Sequence, residues 1–248
     1  MPEAGRKPWQ ADKGAESMTM PFSDVVSLDG ERGDTASCLT YFETLGIAPS
    51  VRILDIGCRH GSFLENLRRR GYHDLQGLDI DTEAIAKGEA AYPALRGRLH
   101  AYDGSAFPFE KGSFDVITMF DVIEHIPPVE AYLRELRTLL RPGGRLVFQT
   151  PNILIDVPYW VLALRLFNRE KIAWMFREHC SLQTYGSLRH LLGRAGFHEV
   201  RIERNRSDTE FKKAHVRQTL GWPGLIILHA SNYFPMVLYP NFWGHAKA

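Results

Sequence analysis

Cysteine is scarce in this chain of 248 residues, where only Cys38, Cys58 and Cys180 occur. The number is odd, no CxxC pair or metal-ligand spacing is present, and a disulfide framework or structural zinc site is therefore disfavoured. A reducing, cytoplasmic setting fits best. Net charge is nearly absent as well: 30 Lys+Arg against 29 Asp+Glu leave +1. No bulk positive field draws such a chain onto nucleic acid, so nucleic acid is not the expected partner. Residues 1–20 have no apolar stretch of the kind a secretory signal needs and mix acids, bases and glycine, which predicts a poorly ordered leader. Neither internal repeats nor low-complexity tracts occur. Leu220–Gly244 contains no Asp, Glu, Lys or Arg and is long enough to cross a bilayer. Pro223, Pro235 and Pro240, with His229 and Asn232, argue against one continuous spanning helix there.

What is present suffices for a core: 44% of residues are hydrophobic and 24% charged, as in a soluble α/β domain. Residues 51–150 alternate short aliphatic runs with longer amphipathic ones, the pattern of βαβ units on a parallel sheet. Strands are expected at 51–56, 75–79, 98–102, 114–120 and 145–149. Helices are expected over 61–70, from an Asp81 or Thr82 cap to about Ala91, and over 128–140, where Leu133, Leu136, Leu139 and Leu140 share a face. Arg141–Gly144 reads as an exit turn. A further helix, 184–195, and strand, 197–202, return after an aromatic-rich segment. These features predict a single domain over 21–248, an apolar helical insertion or lid at about 151–181 and an apolar C-terminal extension at about 205–248.

The chemistry-bearing residues fall at strand ends. Strand one runs into Asp55-Ile56-Gly57-Cys58-Arg59-His60-Gly61 and then a helix, so glycines let the backbone turn sharply beside free helix N–H groups. A dinucleotide fingerprint starting at Gly57 would require glycine at 59 and 62, where Arg59 and Ser62 stand, which weakens a nicotinamide-dehydrogenase reading. Asp79 and Ile80 close strand two in GLDID. A carboxylate there can accept both hydroxyl hydrogens of a ribose, although alone it would serve equally well as a helix cap. Asp103 and Gly104 follow strand three, and Phe120, Asp121, Glu124 and His125 follow strand four. Ligands of open α/β sheets bind at such carboxyl ends. Cys58 and Cys180 read as small buried groups, and Arg68–Arg70 as a solvated helix end.

The ordered set ILDIGCRHG, GLDID, DGSAFPFEKGSFDVITMFDVIEHI, LRPGGRLVFQTPN and EHCSLQTYGSLRHLLGRAGF resembles class I S-adenosylmethionine-dependent methyltransferases. It is closest to the branch containing ubiquinone-biosynthesis and other small-molecule O-methyltransferases, over roughly residues 50–204. The resemblance implies a Rossmann-like, mostly parallel seven-stranded sheet flanked by helices, with S-adenosyl-L-methionine as cofactor. It implies that Asp55, Gly57 and Gly61 surround the methionine part. Asp79, followed by Ile80, would hold the ribose, Asp103 and Gly104 would meet the adenine, and Phe120 would close the pocket. The family usually has glycine where this chain has Arg59, whose side chain either leans over the cofactor carboxylate or points to solvent.

His125 and His179 are candidate general bases for a hydroxyl acceptor, because an imidazole titrates near neutrality; each also has a structural alternative. No metal is required in principle, with Asp121, Glu124 and His125 as the alternative metal-holding set. The apolar insertion and tail point to a small, hydrophobic or lipid-attached acceptor, and to peripheral membrane contact or a homodimer. A non-catalytic S-adenosylmethionine-binding interaction module is the rival reading.

Overall fold

Alternation along the strands decides which residues meet on each side of the sheet. Ile53, Val116 and Val147 point to one face, while Leu54, Ile56, Ile117, Met119, Leu146 and Phe148 point to the other, and all are buried. Both faces being apolar, both are covered by helices, as a parallel sheet requires. The computed structural model describes residues 25–28, 32–155, 157, 177–205, 210–231, 233 and 235–248. The expected leader at 1–20 and most of the expected lid, residues 158–176, lie outside the described residues.

The elements follow in the order α1 (Arg32–Thr44), β1 (Arg52–Ile56), α2 (Ser62–Arg69), β2 (Asp74–Asp79), α3 (Thr82–Ala91), β3 (Leu99–Ala101), β4 (Phe114–Phe120), α4 (Val129–Leu139) and β5 (Leu140–Pro151). Then come α5 (Tyr185–Arg194), β6 (His198–Glu203), α6 (Glu210–Ser231) and β7 (Asn241–Lys247). The sheet has seven strands in the order β3-β2-β1-β4-β5-β7-β6. β1 to β5 pair in parallel, and β7 is antiparallel to both β5 and β6.

Local chemistry accounts for several boundaries. Asp81 caps α3, its Oδ1 accepting the N–H groups of Glu83 and Ala84, each at 3.0 Å. Thr184 caps α5 through a reciprocal bond with Ser187. On one side of the sheet α1 and α2 bring Leu39, Phe42, Leu64 and Leu67 onto Ile53 and Leu75. On the other, α4 and α5 bury Leu133, Leu136, Leu139, Leu188 and Leu192. Each such side chain contributes about 1.5–3 kcal/mol by leaving water.

Four features differ from the sequence reading. The exit turn Arg141–Gly144 belongs to β5, which begins at Leu140 opposite Phe114 and slips register before Arg145 meets Val116. Arg141 stitches this bulge to β4, its Nη1 donating to both oxygens of Asp115 at 2.7 and 2.8 Å. The end of the apolar tail is the seventh strand, with Phe242, Trp243 and Ala246 buried; it enters between β5 and β6 because two half-open edges there offer unpaired backbone groups on both sides. α1 was also not evident from the sequence pattern, its polar and apolar residues forming no clean stripe. Cys180, expected to be buried, is exposed, whereas Cys58 is buried.

Candidate functional site

The end of β1 is tied to the end of β2 before any side chain is considered. The N–H groups of Gly57 and Cys58 both donate to the Leu78 carbonyl, at 2.8 and 3.2 Å. Gly57 has a φ of 73°, and a Cβ there would run into the Val122 side chain, so the turn admits only glycine. Arg59 also takes a left-handed φ of 48°, unusual for a side-chain-bearing residue. Its N–H donates to Asp79 Oδ2 at 2.7 Å. Gly61, at φ 74°, starts α2 without a side-chain cap.

Asp79 is buried and accepts a second backbone bond, from the Asp81 N–H to Oδ1 at 2.9 Å. Each carboxylate oxygen thereby keeps one lone-pair site, a pair of acceptors suited to a diol. Ile80 follows with 69% of its surface exposed. A bare aliphatic side chain beside a two-pronged acceptor suits a ligand with a flat ring next to a ribose. The Asp79 carbonyl takes the Tyr102 N–H at 3.1 Å, which brings Asp103 to the same edge. Asp103 is exposed, and hydrogen bonds from the Ser105 hydroxyl and N–H hold its carboxyl below the usual carboxylate range. Gly104 beside it is also exposed, at φ 80°.

Asp55 lies deepest. It faces Thr118 across the β1–β4 register, and the Thr118 hydroxyl donates to its Oδ1 at 2.6 Å. Burial pushes the Asp55 carboxyl up to about 7, opposed by the Thr118 bond and aided by the nearby Asp79 charge. A carboxyl so placed gains most from a cationic ligand. Phe120 ends β4 and is wedged edge-on against Phe63 of α2, with ring centroids 5.1 Å apart, and tilted against Trp243 of β7 at 5.9 Å.

The far side of this edge is built from the turn after β4 and the segment preceding α5. The Ser181 N–H and hydroxyl donate to the carbonyls of Glu124 and Ile126, at 2.9 and 2.7 Å. His125 Nδ1 lies 3.0 Å from the Glu178 carbonyl oxygen. A carbonyl can only accept, so Nδ1 carries the proton and the neutral ring presents an unprotonated Nε2. The rings of His125 and His179 meet edge to face at 4.7 Å. Burial, and then the neighbouring His125, hold the His179 imidazole below its ordinary value. Glu124 is buried and accepts the Thr150 hydroxyl at 2.9 Å. One ligand atom from each of Glu124, His125 and His179 lies within 4.8 Å of the others. His179 thus takes the place expected for Asp121, and an imidazole–imidazole–carboxylate set suits a divalent transition metal.

The structure therefore gathers Asp55, Gly57, Arg59, Gly61, Asp79, Ile80, Asp103, Gly104 and Phe120 along the carboxyl ends of β3, β2, β1 and β4, neighbours in the sheet. His125 and His179 converge beyond β4. Sequence reasoning missed Thr118, Thr150 and Trp243. The first two carried a signal, a hydroxyl inside an otherwise aliphatic buried strand; Trp243 carried none, since its strand was unrecognised.

Residues 30–201 match the family described as a methyltransferase domain. The chain is 37% identical over 110 residues to a ubiquinone biosynthesis O-methyltransferase of Aeromonas salmonicida, covering 41% of this chain and 43% of that protein. It is 34% identical over 132 residues to a demethylmenaquinone methyltransferase of Beutenbergia cavernae, covering 52% of each. The aligned part thus spans about half the length of these relatives. An S-adenosylmethionine-dependent methyltransferase structure from Mesorhizobium loti shares the fold, with a TM-score of 0.57 and 20% identity over 90% of this chain and 100% of that one.

Proposed function

The chain belongs to the class I S-adenosylmethionine-dependent methyltransferases, and from that premise we propose that it transfers the cofactor's methyl group to a hydroxyl oxygen of a small, apolar acceptor. The observation that carries the reading is the continuous row of strand ends in which Asp79, Ile80 and Asp55 offer, in sequence, a diol acceptor, an apolar shelf and a carboxyl primed for a cation. These groups match the ribose, the adenine and the charged methionine end of S-adenosylmethionine. Bound there, the cofactor supplies a methyl group already activated on a sulfonium.

The chain's own residues do the rest. Asp79 and Asp55 orient the cofactor, Gly57 lets the backbone approach it, and Phe120 excludes water from the reacting face. His125, with its tautomer set by the Glu178 carbonyl, takes the hydroxyl proton at Nε2 as the new bond forms, while His179 flanks it. The ubiquinone and menaquinone names of the two relatives favour a phenolic acceptor with an apolar tail. A second reading, favoured by the Glu124–His125–His179 cluster, has a divalent metal lower the acceptor's pKa instead. Calorimetry with S-adenosylhomocysteine, followed by a turnover screen over phenols, sugars, carboxylates and amines with and without chelator, tests the proposal. Cofactor binding with no turnover on any acceptor would favour an interaction module, and loss of turnover in chelator would favour the metal.

A further inference from the structure

We propose that the C-terminal extension docks the protein on a bilayer surface carrying anionic lipids, beside the acceptor entrance. The apolar component is unusually bare. Among the described residues, Trp222, Ile226, Tyr233, Val237 and Leu238 are exposed, at 72%, 58%, 71%, 48% and 42%. Outside the extension, only Ile80 and Leu154 are described as exposed large apolar side chains, and Ile80 belongs to the cofactor site. Scattered apolar residues are normal on a surface, but five within one short stretch are not.

Backbone geometry sets how they are presented. Gly221, at φ 65° and ψ −156°, breaks α6, and Pro223 stands just inside the second half. In that half Trp222, Ile226 and His229 succeed one another at the i, i+4, i+7 spacing of a single face, and all three are exposed. His229 contacts the Tyr233 ring, with centroids 5.4 Å apart. Trp and Tyr are the side chains that sit best at the boundary between water and hydrocarbon. No helix among the described residues is long and apolar enough to cross a membrane, so the fitting mode is docking from one side.

Charge selects the occupant. Along α6, Lys212, Lys213 and Arg217 outnumber the single acid Glu210, and no Asp or Glu follows as far as Ala248; Lys247, paired with Glu199 at the far end of β7, takes no part. The whole chain is balanced, 30 cations against 29 anions, so the excess is local to the extension. A second copy would bring the same cations face to face and be repelled, whereas an anionic headgroup layer is attracted.

The location gives this surface a purpose. Asn152, at the end of β5, donates its side-chain N–H groups to the Val237 and Tyr239 carbonyls at 3.0 and 2.9 Å, and its backbone N–H to the Pro240 carbonyl at 2.9 Å. Val237 and Leu238 are thereby held at the strand-end edge that carries the site. An acceptor with an apolar tail would pass from bilayer to pocket without crossing water; this last point rests on the acceptor proposed above, and the docking itself does not.

The test is co-sedimentation of the full chain with vesicles of phosphatidylcholine alone or mixed with phosphatidylglycerol, at low and at physiological salt. The expected result is pelleting with the mixed vesicles, several-fold weaker at physiological salt. The double variant W222S/I226S should lower the bound fraction at least tenfold while binding S-adenosylhomocysteine as the parent does. No lipid-dependent pelleting of the parent, or equal pelleting of the variant, would overturn the proposal. So would a concentration-dependent dimer in sedimentation velocity that W222S/I226S abolishes. Vesicle binding without methylation of any tailed phenol would sink the acceptor reading alone and leave docking intact.

Discussion

The backbone N–H of Arg59 donates to Oδ2 of Asp79 at 2.7 Å, so the tightest turn of the site is pinned by the carboxylate read as the ribose holder. Any residue at 59 supplies that N–H. What the arginine adds is a side chain on a left-handed backbone. Replacing it with glycine should preserve the bond and relieve strain of roughly 1 kcal/mol, less glycine's larger chain entropy. In thermal unfolding Arg59→Gly should match or exceed the parent and should exceed Arg59→Ala, which keeps a Cβ at positive φ. A less stable glycine variant would show that the guanidinium's own contacts outweigh the backbone.

Asp79 fills two roles at once, which separates its variants. Asp79→Asn retains acceptor capacity for the Arg59 N–H, while Asp79→Ala loses it. Both should weaken S-adenosylhomocysteine binding, the alanine by about 1.5–3 kcal/mol through loss of charge-assisted hydrogen bonds. Calorimetric affinity unchanged in a folded Asp79→Ala protein would remove the ribose assignment.

Asp55 makes both stability and cofactor binding depend on pH. Its folded pKa, about 7, lies above the ordinary 3.8, so the fold favours the protonated carboxyl. That contribution is full below about pH 4 and is lost as pH rises through 7. Relative to Asp55→Asn, the cofactor-free parent should therefore lose stability from pH 4 to 7, on the order of a few kcal/mol, measured by denaturant unfolding. An ammonium placed beside Asp55 favours the carboxylate, so binding of S-adenosylhomocysteine, through its cationic α-amino group, should release a fraction of a proton near pH 6.5. Calorimetry in buffers of different ionisation enthalpy reads that release, and Asp55→Asn should abolish it.

His125→Gln removes the unprotonated Nε2 but touches none of the groups assigned to the cofactor. On the best acceptor found, kcat should fall roughly 10²–10⁴-fold with S-adenosylhomocysteine affinity unchanged. Comparable kcat in His125→Gln would transfer the base role to His179, whose pKa is held low by burial and which is neutral over a wider pH range.

Asn152 is wholly buried and anchors the return of the chain towards β7 through the carbonyls it serves. Asn152→Leu leaves those carbonyls without donors and should cost about 2–4 kcal/mol, more than one hydrogen bond because buried acceptors go unsatisfied. Hydrogen exchange of β7 amides should accelerate in that variant; unaltered protection would show that the strand's own ladder suffices.

The sequence by itself determined the five-strand parallel core and the order of the site. The short apolar, β-branched run Phe114–Phe120 and the leucines of α4 are local signals, and Gly57, Asp79 and Asp103 each stand at the end of a run that announces its own strand. Boundaries moved by a residue or two, and only at Leu140, where the Asp115–Arg141 contact draws the turn into the strand, was the difference structural. Tertiary structure alone decided three things. It placed Asn241–Lys247 inside the sheet, because the open backbone groups of β5 and β6 lie far away in sequence and have no local signature. It made Asp55 a high-pKa carboxyl, because its burial and the approach of the Asp79 charge arise only when β1 pairs with β4 on one side and β2 on the other. It brought His179 to His125, because their meeting depends on hydrogen bonds from Ser181 to the turn after β4, closed across more than fifty residues of chain, and no spacing within either segment encodes such a contact.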